Sequence, residues 1–155
     1  MGVEIERKFL LAGEGWRGQG DAVLLRQGYL CSDPSRVVRV RVEGAQGTFT
    51  IKGKSSGATR AEFEYPIPLA DAELLLPLCL SPLIDKTRHV VMHEGHRWEI
   101  DEFFGDNAPL IVAELELSSE DEPFTRPPWL GAEVTDDPRY FNSQLAVNPY
   151  ARWKP

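Results

Sequence analysis

Charged side chains occupy alternate positions at the start of the chain. Glu4, Glu6 and Lys8 alternate with Ile5 and Arg7. Because the side chains of a β-strand point to opposite faces in turn, the two glutamates and the lysine share one face of a predicted strand. Two carboxylates and an ammonium group on a buried face are costly unless something neutralises them. A divalent cation bound together with an anionic ligand does so, and these residues are therefore candidates for metal and anion chemistry.

The same alternation recurs along most of the chain. Arg39 and Arg41 alternate with valines, and Glu114 and Glu116 alternate with aliphatic residues. Further polar and charged residues in phase are Thr50 and Lys52; Arg60, Glu62 and Glu64; Lys86 and Arg88; and Arg97, Glu99 and Asp101. For any single strand, a half-exposed sheet with its charges in water explains the pattern. Its recurrence favours a shared polar interior, in which cations bind phosphate oxygens and carboxylates bind a hard divalent metal.

These alternating segments predict an antiparallel, strand-rich fold. Strands are predicted at 3–10, 23–31, 36–43, 48–53, 60–67, 85–93, 96–104 and 110–118. Helices are predicted at 70–79 and 139–148, and residues 119–138 are interpreted as a connecting segment. Closing the strands turns all the charged faces inward, Arg97 included. The predicted fold is therefore α+β: an eight-stranded antiparallel closed β-barrel with a polar, charged lumen and helices packed outside.

Two glycine-containing turns predict how neighbouring strands pair. A four-residue turn is predicted at 44–47 and a two-residue turn at 94–95. The resulting cross-strand pairs are Arg39 with Lys52 across the first turn and Arg88 with Asp101 across the second. Directly opposed like charges destabilise a sheet, so the first pair indicates a site built to receive an anion.

The ordered set of charged motifs resembles the CYTH domain, the bacterial branch of the triphosphate tunnel metalloenzymes. The Glu-x-Glu-x-Lys motif of that family is similar to Glu4, Glu6 and Lys8. Later matches are Arg39 and Arg41; Thr50 to Gly53; Arg60, Glu62 and Glu64; Lys86 to Arg88; Trp98 to Asp101; Ala113 to Glu116; Gly131 to Thr135; and Tyr140 with Asn142. The resemblance spans nearly the whole chain and implies a single tunnel domain over residues 1–155.

The resemblance implies hydrolysis of triphosphates with Mg²⁺ or Mn²⁺, and short members of this length are similar to inorganic triphosphatases. It assigns the metal to Glu4, Glu6 and Glu116, with Glu64 and Glu114 supporting these ligands or binding a second metal. The phosphate-binding residues are Lys8, Arg39, Arg41, Lys52, Arg60 and Arg88, although Arg60 could instead balance Glu62. Lys86 and Tyr29 match a pair that activates water. The alternatives are a further phosphate contact for Lys86 and a core aromatic for Tyr29.

The predicted function is metal-dependent hydrolysis of inorganic triphosphate to pyrophosphate and phosphate. Adenylate cyclases and thiamine or nucleoside triphosphatases share the same charged residues and remain alternatives. A non-catalytic polyphosphate- or nucleotide-binding module is an alternative of another class. Retention of the carboxylates together with Lys86 argues against that module.

The composition and net charge of the chain restrict which classes of partner it is expected to bind. The net charge of −7 disfavours non-specific binding to nucleic acid or to anionic membranes. The sequence contains neither an apolar stretch long enough to span a membrane nor a signal-peptide core, which favours a cytoplasmic protein. The expected partner is a small anionic substrate, and the sequence leaves the oligomeric state open.

Overall fold

Nine β-strands and a few short helices make up residues 2–153, the part of the chain that the computed structural model describes. The strands are β1 (Val3–Leu11), β2 (Ala22–Cys31), β3 (Arg36–Glu43), β4 (Gln46–Gly53), β5 (Thr59–Ile67), β6 (Ile84–His93), β7 (His96–Phe103), β8 (Ile111–Glu116) and β9 (Leu130–Glu133). The α-helices are α1 (Leu69–Leu75) and α2 (Asn142–Leu145). Single 3₁₀ turns lie at Leu76–Leu78, Gly105–Asn107, Pro138–Tyr140 and Tyr150–Arg152.

β1 closes the sheet into a barrel. The strands follow the order β5-β4-β3-β2-β6-β7-β8-β1, and β1 also pairs with β5. That closing contact is antiparallel and sets Glu4 opposite Arg60, while on the other side of β1 Glu6 lies opposite Glu116. The predicted closed antiparallel barrel is thus confirmed, and both acidic positions of β1 belong to its wall.

The two hairpin predictions had different outcomes. Arg88 lies opposite Asp101, as predicted from the two-residue turn at 94–95. The predicted pairing of Arg39 with Lys52 is wrong, because Arg39 lies opposite Thr50. Gly44 has a φ of 58°, so a turn of two residues suffices where four were predicted. Glycine at the first central position is the preference of a type II′ hairpin turn.

Hydrophobic side chains lie on the outer surface of the barrel wall, where other segments cover them. Val40 packs with Ala72 and Leu76 of the α1 region. Trp98 is fully buried and contacts Phe9 and Trp129 edge to face, with ring centroids 5.7 and 5.6 Å apart. The apolar core therefore surrounds the barrel and leaves its interior to polar groups. This agrees with the predicted alternation.

The segments outside the barrel differ from the sequence prediction. The predicted helix 70–79 is divided into α1 and a 3₁₀ turn that contains Pro77, since proline disrupts regular helical hydrogen bonding. The predicted helix 139–148 is reduced to a 3₁₀ turn and α2. The segment 119–138 contains β9, which pairs with the end of β1. A Cβ atom on Gly131 would lie 2.8 Å from the carbonyl oxygen of Leu10, so glycine permits this close pairing.

No helix among residues 2–153 combines the length and the apolar character that crossing a membrane requires.

Candidate active site

The barrel encloses a cavity of about 210 Å³ whose walls are mostly charged. Every residue to which the resemblance gave a metal, phosphate or water-activating role lines this cavity. They are Glu4, Glu6, Lys8, Tyr29, Arg39, Arg41, Lys52, Arg60, Glu64, Lys86, Arg88, Glu114 and Glu116. Strand alternation has therefore brought residues from seven strands into one chamber.

Arg41 is a buried cation without a carboxylate partner among the described residues. Its Nε donates to the neutral amide oxygen of Gln27 at 2.9 Å. Burial, reinforced by the neighbouring cations Arg39 and Arg88, lowers the pKa of Arg41 to about 10. A cation held away from water and crowded by other cations is an anion-binding group.

Two further arginines leave bonding capacity for a ligand. Arg39 bonds to Thr50 at 3.1 Å and to Glu64 at 3.2 Å, and its buried Nε has no partner within the described chain. Arg60 donates to the carbonyl oxygen of Gly53 from two nitrogens, at 2.9 and 3.1 Å. Burial lowers the pKa of Arg60 as well. These guanidinium groups can bind several oxygens of a polyphosphate.

Acidic residues of the same chamber lie along β1 and β8. Lys8 donates to Glu6 at 2.9 Å and forms a short contact with Glu114. Although burial opposes the charged form, these two carboxylates raise the pKa of Lys8 well above its usual value. Glu4 bonds to Lys52 at 3.1 Å. In this arrangement, Lys8 and Lys52 form ion pairs with Glu6 and Glu4, two of the carboxylates that the resemblance assigns to the metal.

Lys86 is the most deeply buried lysine of the cavity, with its side chain 1% exposed. Its Nζ donates to Asp101 at 2.7 Å and to Asn142 at 2.8 Å. Burial lowers the pKa of Lys86 to about 7. Asp101 opposes this effect, and the cations Arg88 and Arg41 add to it. An amine with such a pKa can exchange a proton near neutral pH.

Tyr29 is buried and lines the same cavity. Its hydroxyl oxygen accepts a hydrogen bond from Gln27 Nε2 at 3.0 Å. Tyr29 and Lys86 share no direct hydrogen bond within the described residues; Gln27 and Asn142 connect them. The predicted pair therefore belongs to a larger network of hydrogen bonds.

Sequence reasoning missed Gln27, and for Asn142 it offered a motif match without a role. Gln27 precedes Tyr29 by two positions on β2, so strand alternation places both side chains on the same face, and this was the signal that could have found it.

Arg97 was predicted to face the lumen, and that prediction is wrong. Its side chain is 57% exposed and bonds to Glu99 at 2.7 Å, outside the set of residues that line the cavity. Near the end of a hairpin, a long arginine side chain can place its charged guanidinium group in solvent.

The sequence matches the CYTH domain over residues 2–143, which include every cavity residue that the resemblance assigned. The chain belongs to the CYTH family. The match ends at α2, so it includes Asn142 as well.

This CYTH protein is similar to known inorganic triphosphatases along nearly its whole length. One, from Acetivibrio thermocellus, is 48% identical over 155 residues, which cover 99% of each chain. Another, from Nitrosomonas europaea, is 40% identical over 150 residues, or 94% of this chain and 98% of the relative. A crystal structure of an inorganic triphosphatase is 39% identical with a TM-score of 0.68, and the match covers 95% of this chain and 96% of that one.

The acidic residues of this CYTH protein have the chemistry of a divalent-metal site. Among residues 2–153, no three His, Cys, Asp or Glu side chains converge as a ready-made ligand group. Glu116, however, has a raised pKa, caused first by partial burial of its carboxyl group and then by the charges of Glu4, Glu6 and Glu99. A hard cation with oxygen ligands relieves this repulsion, so the donor set fits the divalent metal that the tunnel family implies.

Proposed function

We propose that this protein hydrolyses inorganic triphosphate to pyrophosphate and phosphate inside its charged barrel. The observation that carries the proposal is Arg41, a buried cation that has no carboxylate partner in the described chain and lies in a cavity rich in further cations. The inorganic triphosphatases that resemble this chain at 48% and 40% identity support the same substrate.

In this proposal the arginines and lysines of the cavity bind and orient the phosphate chain. Arg39, Arg41, Lys52 and Arg88 contact the non-bridging oxygens, and Lys8 binds near the metal. Arg60 joins them, because its hydrogen bonds go to Gly53 rather than to Glu62. Fixed cations stabilise the charge that spreads over the phosphoryl oxygens in the transition state.

The carboxylates of β1 and β8 hold the metal in the same proposal. Glu4, Glu6 and Glu116 are its ligands, and Glu114 supports them through Lys8. Glu64 bonds to Arg39, so it orients the phosphate clamp or binds a second metal. When bound, Mg²⁺ or Mn²⁺ neutralises charge on the phosphate oxygens.

Lys86 and Tyr29 serve the attacking water. With a pKa of about 7, Lys86 can take a proton from a water molecule as that water attacks the terminal phosphorus in line. The Asp101 carboxylate accepts from Lys86 and fixes the direction of the amine. Tyr29 supplies a hydroxyl group at the cavity wall.

Substrate choice tests the proposed function. With Mg²⁺ or Mn²⁺ added, tripolyphosphate is expected to be hydrolysed with a higher kcat/KM than ATP, because the cavity lining consists mostly of phosphate-binding cations and carboxylates. Pyrophosphate fills fewer contacts, each worth about 1.5–3 kcal/mol, and is expected to be a poor substrate. The measurement is phosphate release from the three compounds and from thiamine triphosphate, with and without metal.

Each other outcome of that assay identifies an alternative. Cyclic AMP formed from ATP means a cyclase, and preferential hydrolysis of thiamine triphosphate or ATP means another triphosphatase. Tight binding of tripolyphosphate without release of phosphate means a non-catalytic binding module. Any of these results rejects the proposed function.

The pH dependence of kcat/KM tests the role of Lys86, because this ratio reports the pKa values of the free enzyme. A lysine that accepts a proton must be neutral, so kcat/KM is expected to rise with pH and level off above the pKa of about 7. Below that value, kcat/KM falls about tenfold for each pH unit. The profile is measured at tripolyphosphate concentrations well below KM, with metal added. A kcat/KM that declines as pH rises through 7 would instead indicate that the ammonium form is needed as a phosphate contact.

Three further inferences from the sequence stay predictions: a single domain over residues 1–155, a cytoplasmic location, and a small anionic partner rather than nucleic acid or membrane.

A further inference from the structure

Gln27 is fully buried on β2, and its side-chain amide bonds to three other side chains. Its oxygen accepts from Arg41 Nε at 2.9 Å. Its nitrogen donates to the hydroxyl oxygen of Tyr29 at 3.0 Å and to Asn142 Oδ1 at 3.3 Å. Turning the amide over would set its NH₂ group against the N–H of Arg41, so only one orientation satisfies all three contacts.

The orientation of Gln27 decides where the Tyr29 proton points. Because the Tyr29 oxygen accepts from Gln27, its own O–H is directed elsewhere. Tyr29 lines the cavity, so this proton can reach an oxygen of the substrate or of water. Gln27 thus keeps the hydroxyl of Tyr29 as a donor toward the reaction.

The same network orients Lys86. Asn142 Oδ1 accepts from both Gln27 and Lys86, and Asp101 accepts a second hydrogen from Lys86. The Lys86 nitrogen has three positions besides its own carbon, and these two oxygens occupy two of them. The third position is left for a proton or a lone pair that meets the attacking water.

We propose that Gln27 is a positioning residue for triphosphate hydrolysis, holding Tyr29 directly and Lys86 through Asn142 while it binds the phosphate-clamp residue Arg41. This inference rests on the proposed function, because it assigns Gln27 a part in that reaction. Gln27 acts on the chemical step through its neighbours, and kcat is therefore the quantity that measures its effect.

The decisive variant is Gln27→Glu, which keeps an acceptor for Arg41 but has no donor for Tyr29 or Asn142. The new carboxylate accepts the Tyr29 proton and withdraws it from the cavity. For tripolyphosphate with Mg²⁺, kcat at neutral pH is expected to fall about 10–100-fold. KM is expected to rise as well, because the new carboxylate pairs with Arg41 and competes with the phosphate chain. The rising limb of the pH profile is expected to move to higher pH, since a carboxylate near Lys86 favours its ammonium form.

Two comparisons separate positioning from a structural effect. The matched control is Gln46→Glu, an identical change at an exposed position, which is expected to keep wild-type kinetics. The second is Tyr29→Phe, alone and combined with Gln27→Glu. Because Gln27 acts partly through Tyr29, the double variant is expected to lose less than the product of the two single losses, while the route through Asn142 and Lys86 still adds to the loss of Tyr29→Phe.

Each outcome supports or overturns the inference. Non-additive losses in kcat support it. A wild-type kcat in Gln27→Glu, fully additive losses, or a raised KM with unchanged kcat overturns it while leaving the triphosphatase activity in place. A wild-type protein that is inactive on tripolyphosphate rejects the proposed function itself. If circular dichroism shows that Gln27→Glu does not fold, Gln27→Met replaces it in the same cycle with the same kcat criterion.

Discussion

Replacing Glu6 by glutamine is expected to abolish nearly all metal-dependent hydrolysis of tripolyphosphate. Glu6 lies opposite Glu116 across the β1–β8 pair, where the two carboxylates can share one cation. A bound metal stabilises the transition state by several kcal/mol, so losing about 4 kcal/mol lowers the rate about 10³-fold. A neutral amide keeps the shape of the side chain while removing the charge that attracts the metal.

The Glu6→Gln variant is measured in two ways. Steady-state phosphate release gives the loss of activity, and calorimetric titration with Mn²⁺ gives the loss of metal affinity. The matched control is Glu43→Gln, because Glu43 is exposed at the end of β3 and lies outside the cavity. The thermal midpoint of Glu6→Gln is expected to stay close to that of the control. The glutamine oxygen can still accept from Lys8, which keeps Glu114 as a charged partner, and the change removes a like charge from beside Glu116. Wild-type hydrolysis with Mg²⁺ in Glu6→Gln would contradict the metal assignment.

Replacing Lys86 by methionine is expected to lower kcat about 10²–10⁴-fold, the range in which general base catalysis contributes. Methionine fills a similar volume at this buried position but carries no amine. Asp101 keeps its partner, because Arg88 donates to it from two nitrogens at 2.8 and 2.9 Å. The fold is therefore expected to persist, and KM to change little.

Steady-state kinetics with tripolyphosphate separate the two roles considered for Lys86. A fall in kcat with a stable KM agrees with activation of water, whereas a raised KM with an intact kcat would assign Lys86 to phosphate binding. Lys54→Met is the control, since Lys54 is exposed and does not line the cavity. The residual activity of Lys86→Met is expected to lack the rise in kcat/KM near pH 7 that is expected of the wild type.

The barrel and its lining could be predicted from the sequence because both depend on strand alternation. A period of two fixes the face on which each charge lies, whatever the exact ends of the strand. Residues such as Arg39, Lys52 and Glu116 were therefore placed in one chamber from their parity alone. Arg97 shares this parity, yet near the mouth of the barrel a long side chain extends into solvent.

Features that depend on contacts distant in sequence could not be predicted. β9 is short, contains Gly131, and forms only because the end of β1 offers it an edge. Gln27 has no charge to mark it, and its place in the hydrogen-bond network depends on Asn142, which lies 115 positions further along the chain. The pairing of β3 with β4 was missed for a different, local reason. It depended on whether Gly44 adopts a positive φ, which the residue type permits but does not require.

The position of β1 in the barrel also determines the order in which the protein can fold. β1 pairs with β5, β8 and β9, and the last two lie more than half a chain away, so β1 is synthesised long before these partners. Hairpins such as β3–β4 and β6–β7 can form locally beforehand, whereas contacts of such sequence separation form slowly. Glu6 and Lys8 therefore meet Glu116 and Glu114 only after β8 has been synthesised, and a nascent chain is expected to lack activity until β8 has emerged from the ribosome.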